Sequence, residues 1–166
     1  MTTIEDLSPD QFALVASWLT RPDTNRWLTG EWRGRQVEPT TIAIAVRSKR
    51  NRLFLVRTDG NPSGLVALAD IDLPDGTAMV WYALGDLQLA GRGVTSRAVR
   101  LVAEVAFNSL GLSSLHAWIM EDNVPSRRVL QKSGFRDAGR LREASRSGER
   151  LVDRLYFDLL PKDLAG

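Results

Sequence analysis

The stretch Gln88-Leu89-Ala90-Gly91-Arg92-Gly93-Val94-Thr95 carries the spacing that most directly suggests chemistry. It joins an extended apolar run, Thr77 to Leu84, to a helical one, Val94 to Leu110. Two glycines one residue apart at such a junction let the backbone approach a ligand closely and aim several N–H groups at one point. A helix N-terminus presented this way suits a phosphate oxygen. The same residues also read as a plain tight turn before a helix, and Gln-x-x-Gly-x-Gly alone does not separate the two. Further on, Asn123-Val124-Pro125-Ser126 places an amide and a hydroxyl at a helix start, where Ser126 also reads as a simple N-cap. Carboxylates able to take a proton from an amine stand at Asp70 and Asp72, just before the turn Pro74-Asp75-Gly76, and also read as turn residues.

A second concentration of functional side chains lies between Arg21 and Arg35. This aperiodic segment holds Trp27 and Trp32 with Arg21, Arg26, Arg33 and Arg35, and it also contains Glu31, a further candidate base. It reads either as tryptophans plugging the edge of the core or as a lid over a substrate. As a lid, Arg26, Trp27, Glu31, Trp32 and Arg33 form a basic and aromatic acceptor-binding set, suited to an amine that also carries carboxylate, phosphate or sugar faces and, not being acidic, less suited to a polyamine. The patch Arg47-Ser48-Lys49-Arg50-Asn51-Arg52 reads as a solvated charge run.

Composition narrows the chemistry. The chain has no cysteine, and His116 is its single histidine, so thiol nucleophiles, disulfides and cysteine-ligated metals are excluded and no metal site is expected. Twenty-two Lys+Arg against twenty Asp+Glu give a formal net charge of +2, which argues against nucleic acid as the main partner. With 166 residues, 43% hydrophobic and 25% charged, one domain over residues 1–166 is expected. No apolar run approaches the roughly 20 residues that span a bilayer. The start, Met1 to Asp6, has neither a basic flank nor an apolar signal core, so the expected location is the cytoplasm.

The elements that position these residues follow from periodicity. Thr2 to Leu7 reads as a short edge strand, Ser8-Pro9-Asp10 as a cap opening a helix that ends near Thr20, and Pro39 to Val46 as a second helix. Leu53–Thr58, Leu65–Asp72 and Thr77–Leu84, separated by Gly/Pro/Asp turns, form an antiparallel meander. Val94–Leu110 is the most strongly patterned helix, closed by Gly111. Leu112–Met120 then returns as a strand parallel to Thr77–Leu84, with Leu115, Ala117 and Ile119 on one face and His116 and Trp118 on the other. A helix from Asn123 to Lys132 and a hairpin of Phe135–Arg142 and Leu151–Leu159 complete the chain.

In this arrangement the chain resembles the GCN5-related N-acetyltransferases (GNAT), and among them the RimJ/RimL-type branch. The resemblance runs from about Leu65 to Leu159. It rests on Gln88-x-x-Gly91-x-Gly93, on Asn123-x-x-Ser126, on Val129-Leu130-Gln131-Lys132-Ser133-Gly134-Phe135, and on Gly148, Asp153 and Tyr156 of the last hairpin. It implies an α/β GNAT fold: a mixed, mostly antiparallel sheet of six to seven strands, a splayed parallel pair and about four helices. It also implies acetyl-CoA as donor, with direct transfer to a primary amine of an amino sugar, an amino acid or a peptide N-terminus. Tyr82, Ala83 and Leu84 would pair with the pantetheine, while Gln88, Leu89, Gly91, Arg92, Gly93, Val94 and Thr95 would surround the pyrophosphate. Asn123 would bind the pantetheine and Ser126 would lie near the thiol. Many relatives carry a tyrosine acid where this chain has Leu130, so Ser126 becomes the candidate proton donor, with Asp70 or Asp72 as base. An inactive CoA-binding sensor and a ribosome- or RNA-directed module are the alternatives, and a homodimer stays open.

Overall fold

Between Arg52 and Leu84 apolar side chains alternate on both faces, and three antiparallel strands result: β2 (Arg52–Thr58), β3 (Asn61–Asp72) and β4 (Thr77–Leu84). β1 (Thr2–Asp6) adds to one edge of this meander; β5 (Ser114–Met120), β6 (Arg136–Ser147) and β7 (Arg150–Leu159) extend the other. The sheet order is β1-β2-β3-β4-β5-β7-β6, with β4 and β5 as its parallel pair. Among the described residues six α-helices accompany it: α1 (Phe12–Thr20), α2 (Pro22–Asn25), α3 (Pro39–Arg47), α4 (Val94–Glu104), α5 (Val124–Lys132) and α6 (Pro161–Leu164). This computed structural model describes residues 1–28 and 32–164. No helix among them is long and apolar enough to cross a membrane.

Two hydrophobic layers sandwich the sheet. Phe54, Val66, Leu68 and Val80 point toward α4 and α5, meeting Val94, Ala98, Val102 and Leu130. Their sequence neighbours Leu53, Leu55, Leu65 and Ala67 point the other way, onto Val15, Leu19 and Ile42 of α1 and α3. The period of two along the strands thus assigns each residue of β4 to one layer or the other. Even-numbered Val80 and Tyr82 face α4, and odd-numbered Trp81 and Ala83 face α1.

Three local outcomes differ from the periodicity reading. β3 begins at Asn61 rather than Leu65, because Asp59 and Gly60, at φ 50° and 83°, close the hairpin in two residues and leave Asn61 and Pro62 paired with Thr58 and Arg57. The helix after the glycine stretch is α-helical to Glu104 and continues as a wider π turn over Val105–Ser109. The segment after α1 is not a bare loop: α2 opens it, and the buried side chain of Asn25 organises the remainder. Asn25 Nδ2 donates to the carbonyls of Leu19 (3.0 Å), Trp32 (2.9 Å) and Arg35 (3.1 Å), and its Oδ1 accepts from Gly34 N–H at 2.6 Å.

At the end of β4 the two layers meet closely. A Cβ on Gly85 would lie 2.6–2.7 Å from three ring atoms of Trp18. A ring seated in the core cannot yield as a flexible side chain would. Gly85→Ala is therefore expected to destabilise the fold by about 1–3 kcal/mol, read as a lower urea midpoint with unchanged slope; an unshifted midpoint would contradict this packing.

Candidate functional site

The site originates in a loss of pairing. β4 and β5 pair at Thr77–Ser114, Ala78–Leu115 and Met79–His116, and there the register ends. On the other side of β4, Gly85 N–H donates to the Ser63 carbonyl at 2.8 Å. The alternation of an antiparallel ladder then commits Trp81 and Ala83 to β3 and turns the N–H and C=O groups of Val80, Tyr82 and Leu84 toward β5. On β5, Glu121 N–H donates to the Asp153 carbonyl of β7 at 3.0 Å, so Trp118 and Met120 turn their peptide groups toward β4. Two of these edge carbonyls are taken. Arg21 donates to Leu84 O and Gly85 O at 2.7 Å each, and Asn123 N–H donates to Met120 O at 2.9 Å. The Val80 N–H completes the Met79–His116 bridge, so the Val80 carbonyl and the peptide groups of Tyr82 and Trp118 stay open to a ligand.

The gap opens a cleft of about 1050 Å³ that passes through the sheet from one layer to the other. On the α4 side it is walled by Tyr82, Leu84, Gly91, Gly93, Val94 and Thr95, and on the α5 side by Asn123 and Ser126. Gly91 and Gly93 sit at φ 76° and 74°, the left-handed region that glycine enters without strain. Gly93 is the N-cap of α4 and no side chain caps that end, so the first-turn N–H groups of Val94, Thr95 and Ser96 are open. They form an anion cradle at the positive end of the helix.

Most of the residues expected around the cofactor converge on this cleft, Ala83 and Leu89 included. Gln88 and Arg92 do not line it. Gln88 N–H donates to Asp86 Oδ1 at 3.0 Å and Leu89 N–H to the Asp86 carbonyl at 3.1 Å, which leaves the amide role to Gly91, Gly93, Val94 and Thr95. Arg92 lies instead with Arg97 beside a smaller groove near the start of β1.

Asn123 and Ser126 are held by capping. Asn123 Oδ1 accepts from Ser126 N–H at 3.3 Å, which fixes the first turn of α5, while Asn123 Nδ2 has no hydrogen bond among the described residues. The Ser126 hydroxyl also has none. A second hydroxyl, one the sequence reading had not weighed, lies beside it: Tyr82 Oη donates to the Ser126 carbonyl at 3.2 Å across the gap. Burial raises the Tyr82 pKa, so this phenol keeps its proton. Leu130 is fully buried against α4 and offers no acid.

On the α1–α3 side the lining is aromatic. Trp27, Trp32, Trp81 and Trp118 all contribute, and Trp32 meets Trp81 edge to face at 5.4 Å between centroids. The arginines expected there point elsewhere. Arg21 holds the end of β4, Arg26 stacks on Trp27 at 4.3 Å, and Arg33 reaches Met120 Sδ (3.9 Å) and the Arg146 carbonyl (3.4 Å); none lines the cleft. Glu31 lies outside the described residues. Of the two candidate bases, Asp70 lines the cleft at φ 50° in the bulge where β3 loses register with β4, the kind of irregularity that re-aims a side chain. Asp72 accepts from Asp75 N–H at 3.1 Å and serves the turn. His116 shares the Asp70 face. Burial lowers its pKa, only partly offset by the charge of Asp70, so the imidazole is neutral near pH 7. Asp153, from the last hairpin motif, accepts from Glu143 N–H at 2.8 Å and from Arg140, and so pins the β6 bulge rather than facing the cleft. Among the described residues no cluster of His, Asp and Glu could hold a metal ion.

Comparison with known proteins agrees with this geometry. A family model described as "Acetyltransferase (GNAT) domain" matches residues 2–136. The chain is 30% identical over 124 residues to the uncharacterized N-acetyltransferase p20 of Bacillus licheniformis, spanning 74% of this chain and 69% of that one. Its fold matches that of spermidine N-acetyltransferase from Vibrio cholerae in complex with CoA and spermine, with a TM-score of 0.85 at 16% identity over 99% of this chain and 98% of that chain. It also matches Mycobacterium smegmatis RimJ in complex with CoA-disulfide, with a TM-score of 0.82 at 20% identity over 99% and 84%.

Two measurements check the site. A Cβ on Gly91 has open space around it but must adopt the left-handed conformation, at a cost of about 1–2 kcal/mol, and it would crowd the anion cradle. Gly91→Ala is expected to weaken CoA binding at least tenfold by titration calorimetry while the protein stays folded; an unchanged dissociation constant would remove the cradle from Gly91. For His116 the folded-state pKa is lowered, so the unfolded chain binds more protons below about 6.5 and stability falls as the pH drops through that value toward the lower native one. His116→Gln should flatten that part of the stability curve in urea melts between pH 7.5 and 5; an identical slope in both proteins would refute the assignment.

Proposed function

The chain belongs to the GNAT acetyltransferase family, and on that premise we propose that it transfers acetyl from acetyl-CoA directly to the primary amine of a small molecule. One observation carries the reading. A single cleft joins open amides at a helix N-terminus, unpaired peptide groups of β4 and an aromatic chamber on the far side of the sheet. Acetyl-CoA supplies the acyl group on a thiol leaving group. The chain supplies the rest. The amides of Gly91, Gly93 and Val94 hold the pyrophosphate, the open Val80 carbonyl and Tyr82 peptide groups bind the pantetheine arm as an added strand, and the Tyr82 N–H is the donor that polarises the thioester carbonyl. Asn123 Nδ2 gives a further donor to the arm, and the free Ser126 hydroxyl donates to the departing sulfur.

Tyr82 acts as a positioning residue. Its phenol is engaged on the Ser126 carbonyl and orients the turn that bears the hydroxyl. Asp70 is the carboxylate placed to handle the acceptor's charge, directly or through water. The motif set supports a RimJ/RimL-type assignment, and the match to a spermidine acetyltransferase is equally good in fold. The substrate therefore follows from the chamber rather than from the branch.

The test is mass spectrometry of products formed from acetyl-CoA with a panel of diamines, amino sugars, amino acids and short peptides. A mass gain of one acetyl group on an amine is the expected result. Bound CoA without turnover on any amine would favour the inactive sensor. For Ser126, alanine is expected to lower kcat about tenfold or more at saturating acetyl-CoA with little change in KM; an unchanged kcat would remove the hydroxyl from the mechanism.

A further inference from the structure

The lining of the acceptor chamber is more specific than its aromatic character. Arg128 and Lys132 line the cleft from α5, on the cofactor side. The remaining charged residues lining the cleft, among those described, are Asp23 and Asp70, both carboxylates. They stand at opposite ends. Asp23 follows Arg21 by two residues, and Arg21 is clamped to Leu84 and Gly85 at the open end of the splay. Asp70 sits one residue beyond Ala69, which pairs with Met79, and Met79 pairs with His116 where the splay closes. Trp27, Trp32, Trp81 and Trp118 lie between them.

We infer that the acceptor carries a second ammonium group besides the amine that is acetylated, and that Asp70 anchors it while the tryptophans enclose the spacer. This rests on the acetyltransferase reading and names the substrate class for the same cleft. Three properties carry it. Aromatic faces attract cations, and two of these rings already hold guanidinium groups of the protein itself, Arg26 over Trp27 at 4.3 Å and Arg154 over Trp118 at 4.1 Å, though neither arginine lines the cleft. An acceptor carboxylate would meet two like charges and no arginine lining the acceptor side, where the exposed Arg50, 3.7 Å from Asp70, stands outside the cleft; this disfavours free amino acids. The spacing also fits a short bifunctional molecule. From the open peptide groups near Val80 and Tyr82, the level of Asp70 is roughly 7–13 Å back along the strand at about 3.3 Å per residue.

The shared chemistry is a pair of amines on a short spacer, available from linear diamines or from amino sugars and cyclitols with more than one amine. The experiment compares kcat/KM at saturating acetyl-CoA for three probes of equal length: 1,4-diaminobutane, 1-aminobutane and 4-aminobutanoate. A ring arm sets 2-deoxystreptamine against glucosamine. The expected result is at least a tenfold preference for the diamino member of one arm over its monoamino partner, with 4-aminobutanoate the poorest linear probe. The arm that shows it identifies the source.

Asp70→Asn is the matched variant, because asparagine tolerates the left-handed backbone at this position and keeps the side-chain shape. It should reduce the diamine-to-monoamine ratio at least fivefold, and tryptophan fluorescence should show weaker binding of the preferred diamine to the same variant. A diamine preference that persists in Asp70→Asn would overturn the anchor. Equal use of mono- and diamines in both arms, or preference for 4-aminobutanoate, would overturn the second-ammonium inference while leaving N-acetyl transfer standing. Absence of transfer to any amine would overturn both.

Discussion

Everything in this fold that bears on function depends on a row of peptide groups that the sheet does not satisfy. After Met79 and His116, β4 and β5 part, and the Val80 carbonyl and the peptide groups of Tyr82 and Trp118 face a gap instead of each other. A buried unpaired peptide group costs about 1–3 kcal/mol, so such a row persists only where solvent or a ligand completes it. The rest of the architecture keeps the gap open. α4 and its glycine turn stand at one mouth; the hydrophobic layer under α4 runs continuously from the meander to β5 and β7, while the layer under α1 and α3 lies on the meander alone. The strands can therefore diverge without loss of the core.

The acceptor side is built by a different means. Among the described residues of 21–37 no strand pairing occurs, and their position comes from polar staples. The amide of Asn25 satisfies three carbonyls and one N–H, Thr20 exchanges hydrogen bonds with Val37 N–H (3.0 Å) and Val37 O (3.2 Å), and Arg21 fastens the segment to the end of β4. Arg21 links the two halves of the reaction. By occupying the Leu84 carbonyl it shortens the open edge of β4 to Val80 and Tyr82, and the same side chain fixes the start of α2, which carries Asp23 into the cleft.

The sequence made the catalytic scaffold legible because its signals are local. The period of two through the meander, the helical spacing after Gly93 and the Asn-x-x-Ser start of α5 each depend on residues close in the chain, and all three elements formed where expected. What escaped was decided at long range. Arg21, Arg26 and Arg33 have the composition of a basic pocket, yet each found a nearer partner: strand carbonyls, a tryptophan face, or a methionine sulfur and a carbonyl on the far hairpin. Composition counts charges but does not say which way they point. The organising role of Asn25 had no signature either, since an asparagine between α2 and a tryptophan reads as an ordinary loop residue. Tyr82 was recognised only for its backbone, because its hydroxyl gains significance from Ser126, 44 residues away.

The proton balance of the reaction connects these features. A primary amine with an ordinary pKa near 10.4 is neutral in only about one molecule in 2,500 at pH 7, so the site must favour the neutral form at the reacting end. Tryptophan walls do this by desolvation, which lowers an amine's pKa, whereas a nearby carboxylate raises it. These opposed effects can serve one substrate only if they act on different nitrogens. The proposed diamine would meet that requirement: an ammonium held at Asp70 would keep its charge, and repulsion from that charge would add to desolvation in depressing the pKa of the nitrogen at the thioester. The departing thiol has an ordinary pKa near 8.5 and needs no strong acid, so in the proposed reaction the Ser126 hydroxyl need only donate a hydrogen bond to the sulfur. What separates Tyr82 from Ser126 is geometry rather than acidity: the Tyr82 hydroxyl is already engaged on the Ser126 carbonyl, which fits a positioning role.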